Sequence, residues 1–187
     1  MIRLIRHLLA IAALPFVMAV LIPTWIARRN HITFALGTTA PEILAQIAGL
    51  FVLLIGLALF VSSLRRFASD GQGTLAPWDP PRQLVVSGPY RYVRNPMISG
   101  VIFVLFGEAL LLVSRPHASW ALTFLVINLI YIPLLEEPPL RSRFGSAYDD
   151  YCKHVPRVIP RFRPWKPDAI DVAGHSKGSN EGKTKSI

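Results

Sequence analysis

The chain has 187 residues, of which 52 % are hydrophobic and only 17 % charged, and its net charge is +9. That is one domain's worth of chain with too little charge for an ordinary soluble domain. The basic residues lie between and after long apolar runs, where anionic lipid headgroups would meet them, which argues against nucleic acid as the partner.

Four apolar runs follow in chain order, at roughly Leu4–Ala27, Ile43–Leu64, Met97–Ser114 and Ala118–Leu135. Each is long enough, as a helix, to cross a hydrocarbon core of about 30 Å, the last two near the short limit. A backbone in lipid must satisfy its own hydrogen bonds, so all four are expected to be helices. Pro15 and Pro23 should bend or fray the first run. Arg3 and Arg6 ahead of it resemble the start of a signal peptide, but the run is long and lacks a clear small-x-small cleavage site, so it reads as a retained helix. Lys and Arg are distributed unevenly: two in the N-terminal stub, five between the second and third runs, ten after the fourth, against only Arg28, Arg29 and Arg115 on the other side. Positive-inside bias then puts both termini and the long loop in the cytoplasm, as for a bacterial inner-membrane protein. Ala68–Arg82, rich in Gly, Pro and Asp, reads as irregular, and the residues from Asp168 onward as a disordered tail. The single cysteine, Cys152, excludes an intrachain disulfide and reads as an unremarkable free thiol.

Arg115, Pro116 and His117 alone join the third and fourth runs, which forces an antiparallel hairpin. The segment before run three, Ser87 to Pro96, must then meet the segment after run four, Glu136 to Leu140. An Arg- and Tyr-rich loop faces two adjacent carboxylates. Glu136 and Glu137 could be idle headgroup-level charges, and Arg91 and Arg94 snorkelling side chains. Adjacent carboxylates repel unless a cation lies nearby, however, and the Gly-Pro and Asn-Pro punctuation around aromatics suggests a shaped pocket. Leu140, Phe144, Tyr148 and Tyr151 fall on one face of an expected amphipathic helix, either an interfacial anchor or a cap on that pocket. Val155–Arg161 reads as a proline-fixed extended strap. Glu108, in the middle of run three beside Gly107, has two readings: contact with a polar acceptor group, or a protonated carboxyl bonded to a neighbouring helix at Asn128 or Thr123. His117, in the outer turn, reads as structural.

The run Gly88-Pro89-Tyr90-Arg91-Tyr92-Val93-Arg94-Asn95-Pro96-Met97 resembles the loop entering the catalytic hairpin of the isoprenylcysteine carboxyl methyltransferase and phospholipid methyltransferase families. Glu136-Glu137-Pro138-x-Leu140, Phe144-Gly145, Tyr148, Tyr151 and Val155-Pro156-Arg157-x-Ile159-Pro160 resemble the second half of the same signature. The resemblance covers about residues 75 to 163. It implies a membrane-embedded S-adenosylmethionine site without a Rossmann fold, a lipid-like or prenylated acceptor entering from the bilayer, and no metal. Carried over residue by residue, Gly88, Pro89, Tyr90, Arg94, Asn95, Pro96, Glu136, Glu137, Tyr148 and Tyr151 would bind the cofactor. Asn95 and Arg157 would stand closest to the reaction; Glu108 is a third catalytic candidate on its depth in run three, not on the resemblance. Many relatives carry His-Pro where this chain has Asn95-Pro96, and Asn cannot titrate near neutral pH, so a general base at this position is in doubt here.

The expectation is an all-α polytopic membrane protein: about four transmembrane helices with a C-terminal helical hairpin, an amphipathic helix and a disordered tail. It divides as two N-terminal helices over 1–66, a methyltransferase core over 67–167 and a tail over 168–187. The expected activity is S-adenosylmethionine-dependent methyl transfer, most like a protein-S-isoprenylcysteine O-methyltransferase. The alternatives are a phospholipid or amine N-methyltransferase, a non-catalytic membrane protein on the same scaffold, or a reductase, which cofactor choice would separate.

Overall fold

The computed structural model describes residues 14–70 and 84–166, with side chains described through Arg66 in the first of these segments. The expected disordered tail, the start of the first apolar run and most of the Ala68–Arg82 stretch lie outside the described residues. Among the described residues the chain is helical and has no strand.

A π-helical turn, Val17–Leu21, leads into α1, Ile22–Arg29. The proline at position 23 does not break the helix; the turn widens just before it, as a missing N–H allows. The long helix α2, Ala40–Asp70, opens on a cap in which the Thr38 and Thr39 amides donate to Glu42 Oε2 at 2.8 and 3.2 Å. It runs helical to Asp70 and so takes in Ala68, Ser69 and Asp70 of the stretch expected to be irregular. Helix α3, Pro96–Leu111, starts on proline at its first position. A three-residue turn with Val113 at positive φ leads to α4, Arg115–Tyr131, capped by Ser114. Helix α4 does not stop near Leu135. It passes through a π-helical turn, Ile132–Glu136, at Pro133 and continues into α5, Glu137–Phe144. The expected single amphipathic helix breaks at Gly145 (φ 54°, ψ −133°), a conformation glycine tolerates, and resumes as α6, Ser146–His154.

Two stretches, Ala40–Arg66 and Arg115–Phe144, are long and apolar enough to cross a membrane. Leu44, Phe51 and Leu54 on one, and Leu122, Ile130 and Leu134 on the other, are exposed, a surface suited to lipid rather than water. Helix α3 is shorter, about 24 Å of rise.

Glycines set the closest helix contact. A Cβ at Gly56 would meet Gly100 O and Val104 N at 2.7 Å, and one at Gly107 would meet Leu53 N at 2.7 Å. A Cβ at Gly49 would come 2.9 Å from Gly107 O, so Gly49 pairs with Gly107 and Gly56 with Gly100. The contacts run antiparallel, reciprocal between Gly56 and Gly100, and bring the backbones of α2 and α3 together. On its other side α3 packs Val101 and Leu105 against Ala121 of α4. The N-terminal helix is tied to α4 through His117 Nε2 at 3.2 Å from Pro23 O and through Trp120 Nε1 donating to Met18 O at 3.1 Å. His117 is thus a buried structural contact.

Candidate active site

The site is built where α3 begins. Ser87 to Arg94 arrive there as a tight loop with one 3-10 turn, Gly88–Arg91. Gly88 (φ 54°) lies against the Arg66 side chain, where a Cβ would sit 2.9 Å from Nε. The loop is fixed from three directions. Ser63 Oγ of α2 donates to Tyr90 Oη at 3.2 Å, and Tyr151 Oη of α6 donates to the Tyr90 carbonyl at 2.6 Å. The strap after α6 then runs alongside the loop. Arg94 N donates to Pro156 O at 2.9 Å, Arg161 N to Tyr92 O at 3.0 Å, and Trp165 N to Arg91 O at 2.9 Å. Ser99 Oγ, in the first turns of α3, reaches Val158 O at 2.6 Å.

A charge cluster occupies the enclosed space. Glu137 is buried and accepts two bonds from Arg157, Nε to Oε1 at 2.6 Å and Nη2 to Oε2 at 3.0 Å. This is the two-pronged guanidinium–carboxylate geometry. Arg94 Nη1 approaches the same Oε1 at 3.1 Å and also lies 2.6 Å from Cys152 Sγ. The Arg94 and Glu137 side chains are only 10 % and 8 % exposed. Glu137 thus carries both arginines. Glu136, one residue earlier on the widened turn, is half-buried and makes no hydrogen bond within the described residues. It lies close enough to the Tyr90 phenol to act on it electrostatically.

The three tyrosines around this cluster, Tyr90, Tyr148 and Tyr151, have phenol pKa values raised above the ordinary range, mainly because burial disfavours the phenolate. They act as neutral hydroxyl groups. The hydrogen bond to Glu137 holds Arg157 more firmly in its charged form. Arg94 Nε is buried and has no hydrogen-bond partner among the described residues.

The structure brings Gly88, Pro89, Tyr90, Arg94, Asn95, Pro96, Glu136, Glu137, Tyr148, Tyr151 and Arg157 to this end of the molecule. Asn95 holds the N-cap position without a side-chain capping bond, while its carbonyl accepts from Ser99 N at 2.9 Å. Glu108 is not brought here. It lies in the last turn of α3, about 18 Å along the helix from Pro96, because the helix ends at Leu111 rather than Ser114. Nor does it bond to Asn128 or Thr123. Each of those turns back to a carbonyl of its own helix, Phe124 O at 2.8 Å and Ser119 O at 2.8 Å, and Glu108 Oε2 is buried without a partner. Arg157, expected to approach an acceptor, is instead committed to Glu137. Sequence reasoning missed Ser63, in the Ser62-Ser63 pair at the end of the second apolar run, and Ser99, near the start of the third. It also gave no role to Cys152, which lies against Arg94. Among the described residues no group of His, Cys, Asp and Glu could hold a metal ion.

A family profile described as phospholipid methyltransferase matches residues 44–147. The chain belongs to the phospholipid methyltransferase family. The match covers α2 to the start of α6, including the loop and the glutamate pair, and stops short of the strap. Among curated proteins, the chain is 29 % identical over 97 residues to phosphatidylethanolamine N-methyltransferase 1 of Vanderwaltozyma polyspora. The alignment covers 50 % of this chain and 11 % of that protein, so the chain spans about a tenth of its relative's length. No solved structure matches the chain. The family is one of methyltransferases, and together with the two long apolar helices it places this member at a membrane.

Proposed function

We propose that the chain is an integral-membrane, S-adenosylmethionine-dependent methyltransferase that acts on the amine headgroup of a phospholipid. The family match over the loop and glutamate pair carries this reading. The prenylated carboxyl acceptor preferred on sequence has weaker support, since the matching family is named for phospholipids and the curated relative for a phosphatidylethanolamine amine. Four spans with both termini cytoplasmic remain part of the proposal, resting on the Lys and Arg distribution.

The residues present suit the cofactor. S-adenosylmethionine carries a carboxylate, an ammonium, a sulfonium and an aromatic base. Arg94 Nε, buried and unpartnered, complements an anionic oxygen. Glu136, half-buried and without a hydrogen bond among the described residues, complements a cationic group. Tyr90 adds a hydroxyl and a ring beside it. When bound, S-adenosylmethionine would supply a methyl group on cationic sulfur, ready for displacement.

The protein's own contributions are alignment, exclusion of water and handling of one proton. Glu137, held by Arg94 and Arg157, fixes the start of α5 and, through the strap, the loop and the start of α3. An ammonium headgroup must lose a proton before it can attack. Transfer out of water weakens its hold on that proton, and a carboxylate oxygen of Glu136 would receive it.

The test uses purified protein in nanodiscs. Calorimetric binding of S-adenosylmethionine is expected for wild type, with a loss of at least about tenfold in Glu136→Gln at unchanged thermal stability. Radiolabelled methyl transfer should reach phosphatidylethanolamine and not a farnesylcysteine analogue. Labelling of the farnesylcysteine alone would restore the carboxyl acceptor, and absence of any binding by folded wild type would overturn the methyltransferase proposal.

A further inference from the structure

The strap does more than cover the loop. Its Val158 side chain is buried in an apolar cluster with Ile102 of α3 and Ile132 of the π-helical turn, flanked by Ile98, Phe103 and Leu125. The strap therefore dips to the level of the apolar helix surfaces, and Ser99 Oγ holds it there through Val158 O at 2.6 Å. The next side chain, Ile159, is 74 % exposed, and Phe162 is fully exposed at 103 %. A fully exposed phenylalanine is unfavourable in water relative to burial in an apolar medium. Both side chains are left outward because the strap's backbone is turned to the loop, with Arg161 N on Tyr92 O at 3.0 Å and Trp165 N on Arg91 O at 2.9 Å.

The charges around this pair have one sign. Between Val155 and Lys166 the chain has Arg157, Arg161, Arg163 and Lys166 and no acidic residue. Arg157 is neutralised by Glu137, while Arg163 and Lys166 are exposed. Two exposed apolar side chains among unopposed basic groups, next to a residue at apolar depth, match the surface of an anionic bilayer.

We propose that Ile159 and Phe162 insert into the headgroup–acyl boundary of the leaflet on the site's side, with Arg163 and Lys166 on anionic lipid headgroups. The same short segment carries Arg157 to Glu137 and Val158 to Ser99, so the wedge connects the lipid surface to the site's clamp. The inference rests on the membrane placement and stands apart from the methyl-transfer reading.

The test is the fluorescence of Phe162→Trp in nanodiscs, with the emission of the wild-type protein subtracted. Discs of zwitterionic lipid, and of the same lipid with an anionic fraction, are each made with and without brominated acyl chains. The expected difference emission is blue-shifted, quenched by brominated lipid and shielded from iodide, with the anionic fraction raising the quenching. Arg163→Gln/Lys166→Gln in that background should remove the anionic dependence and leave the zwitterionic signal. Emission open to iodide and untouched by brominated lipid would overturn the wedge. So would a blue shift without brominated-lipid quenching, which would mean that protein covers the residue. Equal quenching in both lipids would overturn the anionic contact. None of these readouts requires catalytic activity, so a failed methyl-transfer assay leaves the result intact.

Discussion

Glu137 and Glu108 are two carboxyl groups set into the same apolar helical assembly, and the molecule treats them in opposite ways. Glu137 accepts two bonds from Arg157 at 2.6 and 3.0 Å, lies 3.1 Å from Arg94, and joins α5 to the strap and the loop. Glu108, at the far end of α3, has one carboxyl oxygen buried with no hydrogen-bond partner among the described residues. A charge buried with its counter-charges becomes a structural joint, because removing one partner strands the others. A polar group left alone joins nothing and can be replaced at little cost. The comparison predicts where substitutions will be felt.

The largest effect is expected at Glu137. Glu137→Ala leaves Arg94, nine-tenths buried, and half-buried Arg157 without their shared anion. Breaking a buried pair in this way costs about 3–5 kcal/mol. Thermal unfolding in detergent should show a large drop in Tm and early proteolysis of the strap. A near-wild-type Tm would mean that the cluster is not the joint described. Glu136→Gln, one residue away, should leave Tm unchanged while weakening cofactor binding and slowing methyl transfer.

Next comes the glycine seam. Gly56→Leu drives a side chain into Gly100 O and Val104 N, backbone atoms that a Cβ would already meet at 2.7 Å, so the helices must part. Overpacking of this kind costs about 1–3 kcal/mol. Gly145→Ala meets open space but keeps φ 54° with ψ −133°, a region other residues rarely adopt, and should cost about 1–3 kcal/mol without moving the helices. If Gly56→Leu were as stable as wild type in chemical denaturation, the close approach of α2 and α3 would not be the principal contact.

Ser99→Ala should have a smaller effect. It removes one hydroxyl that bridges α3 to Val158 O, a net loss of about 1 kcal/mol. Hydrogen exchange should locate that loss in the strap amides and spare α2. Uniformly faster exchange would mean that Ser99 supports the core rather than the strap.

Much of this arrangement can be read along the chain, and the rest has identifiable physical causes. Apolar runs and the three-residue link put Arg94 and Glu137 at one end, the resemblance adds Arg157, and the structure brings the three together. What the runs do not show is where helices change pitch. Pro133 widens the backbone into a π-helical turn, and that turn separates the surroundings of Glu136 from those of Glu137. Equal neighbours in sequence therefore become one clamped and one open carboxyl. The face expected from Leu140, Phe144, Tyr148 and Tyr151 survives as a cluster although the helix breaks at Gly145, because the break turns the backbone and α6 still buries both tyrosines. Glycine pairs seven residues apart, Gly49 with Gly56 and Gly100 with Gly107, were visible in the sequence. Only the contacts they make across α2 and α3 show that they belong to one seam.

The smallest effect is expected at Glu108, and it bears most directly on the comparison. Glu108→Gln keeps the shape of the side chain and leaves no partner stranded, so stability should change by no more than about 0.5 kcal/mol. Methyl transfer should stay within about twofold of wild type, because the site lies about 18 Å away along α3 and no described hydrogen bond connects the two. The measurement is initial rate against phospholipid concentration at saturating cofactor. A fall of about 100-fold in kcat with Tm unchanged is the signature of a residue that handles a proton in the reaction. That result would place the acceptor's path at the far end of α3 and end the contrast between the two carboxyls. A rate near wild type makes Glu108 a tolerated polar group and leaves the chemistry with the loop, the glutamate pair and the strap.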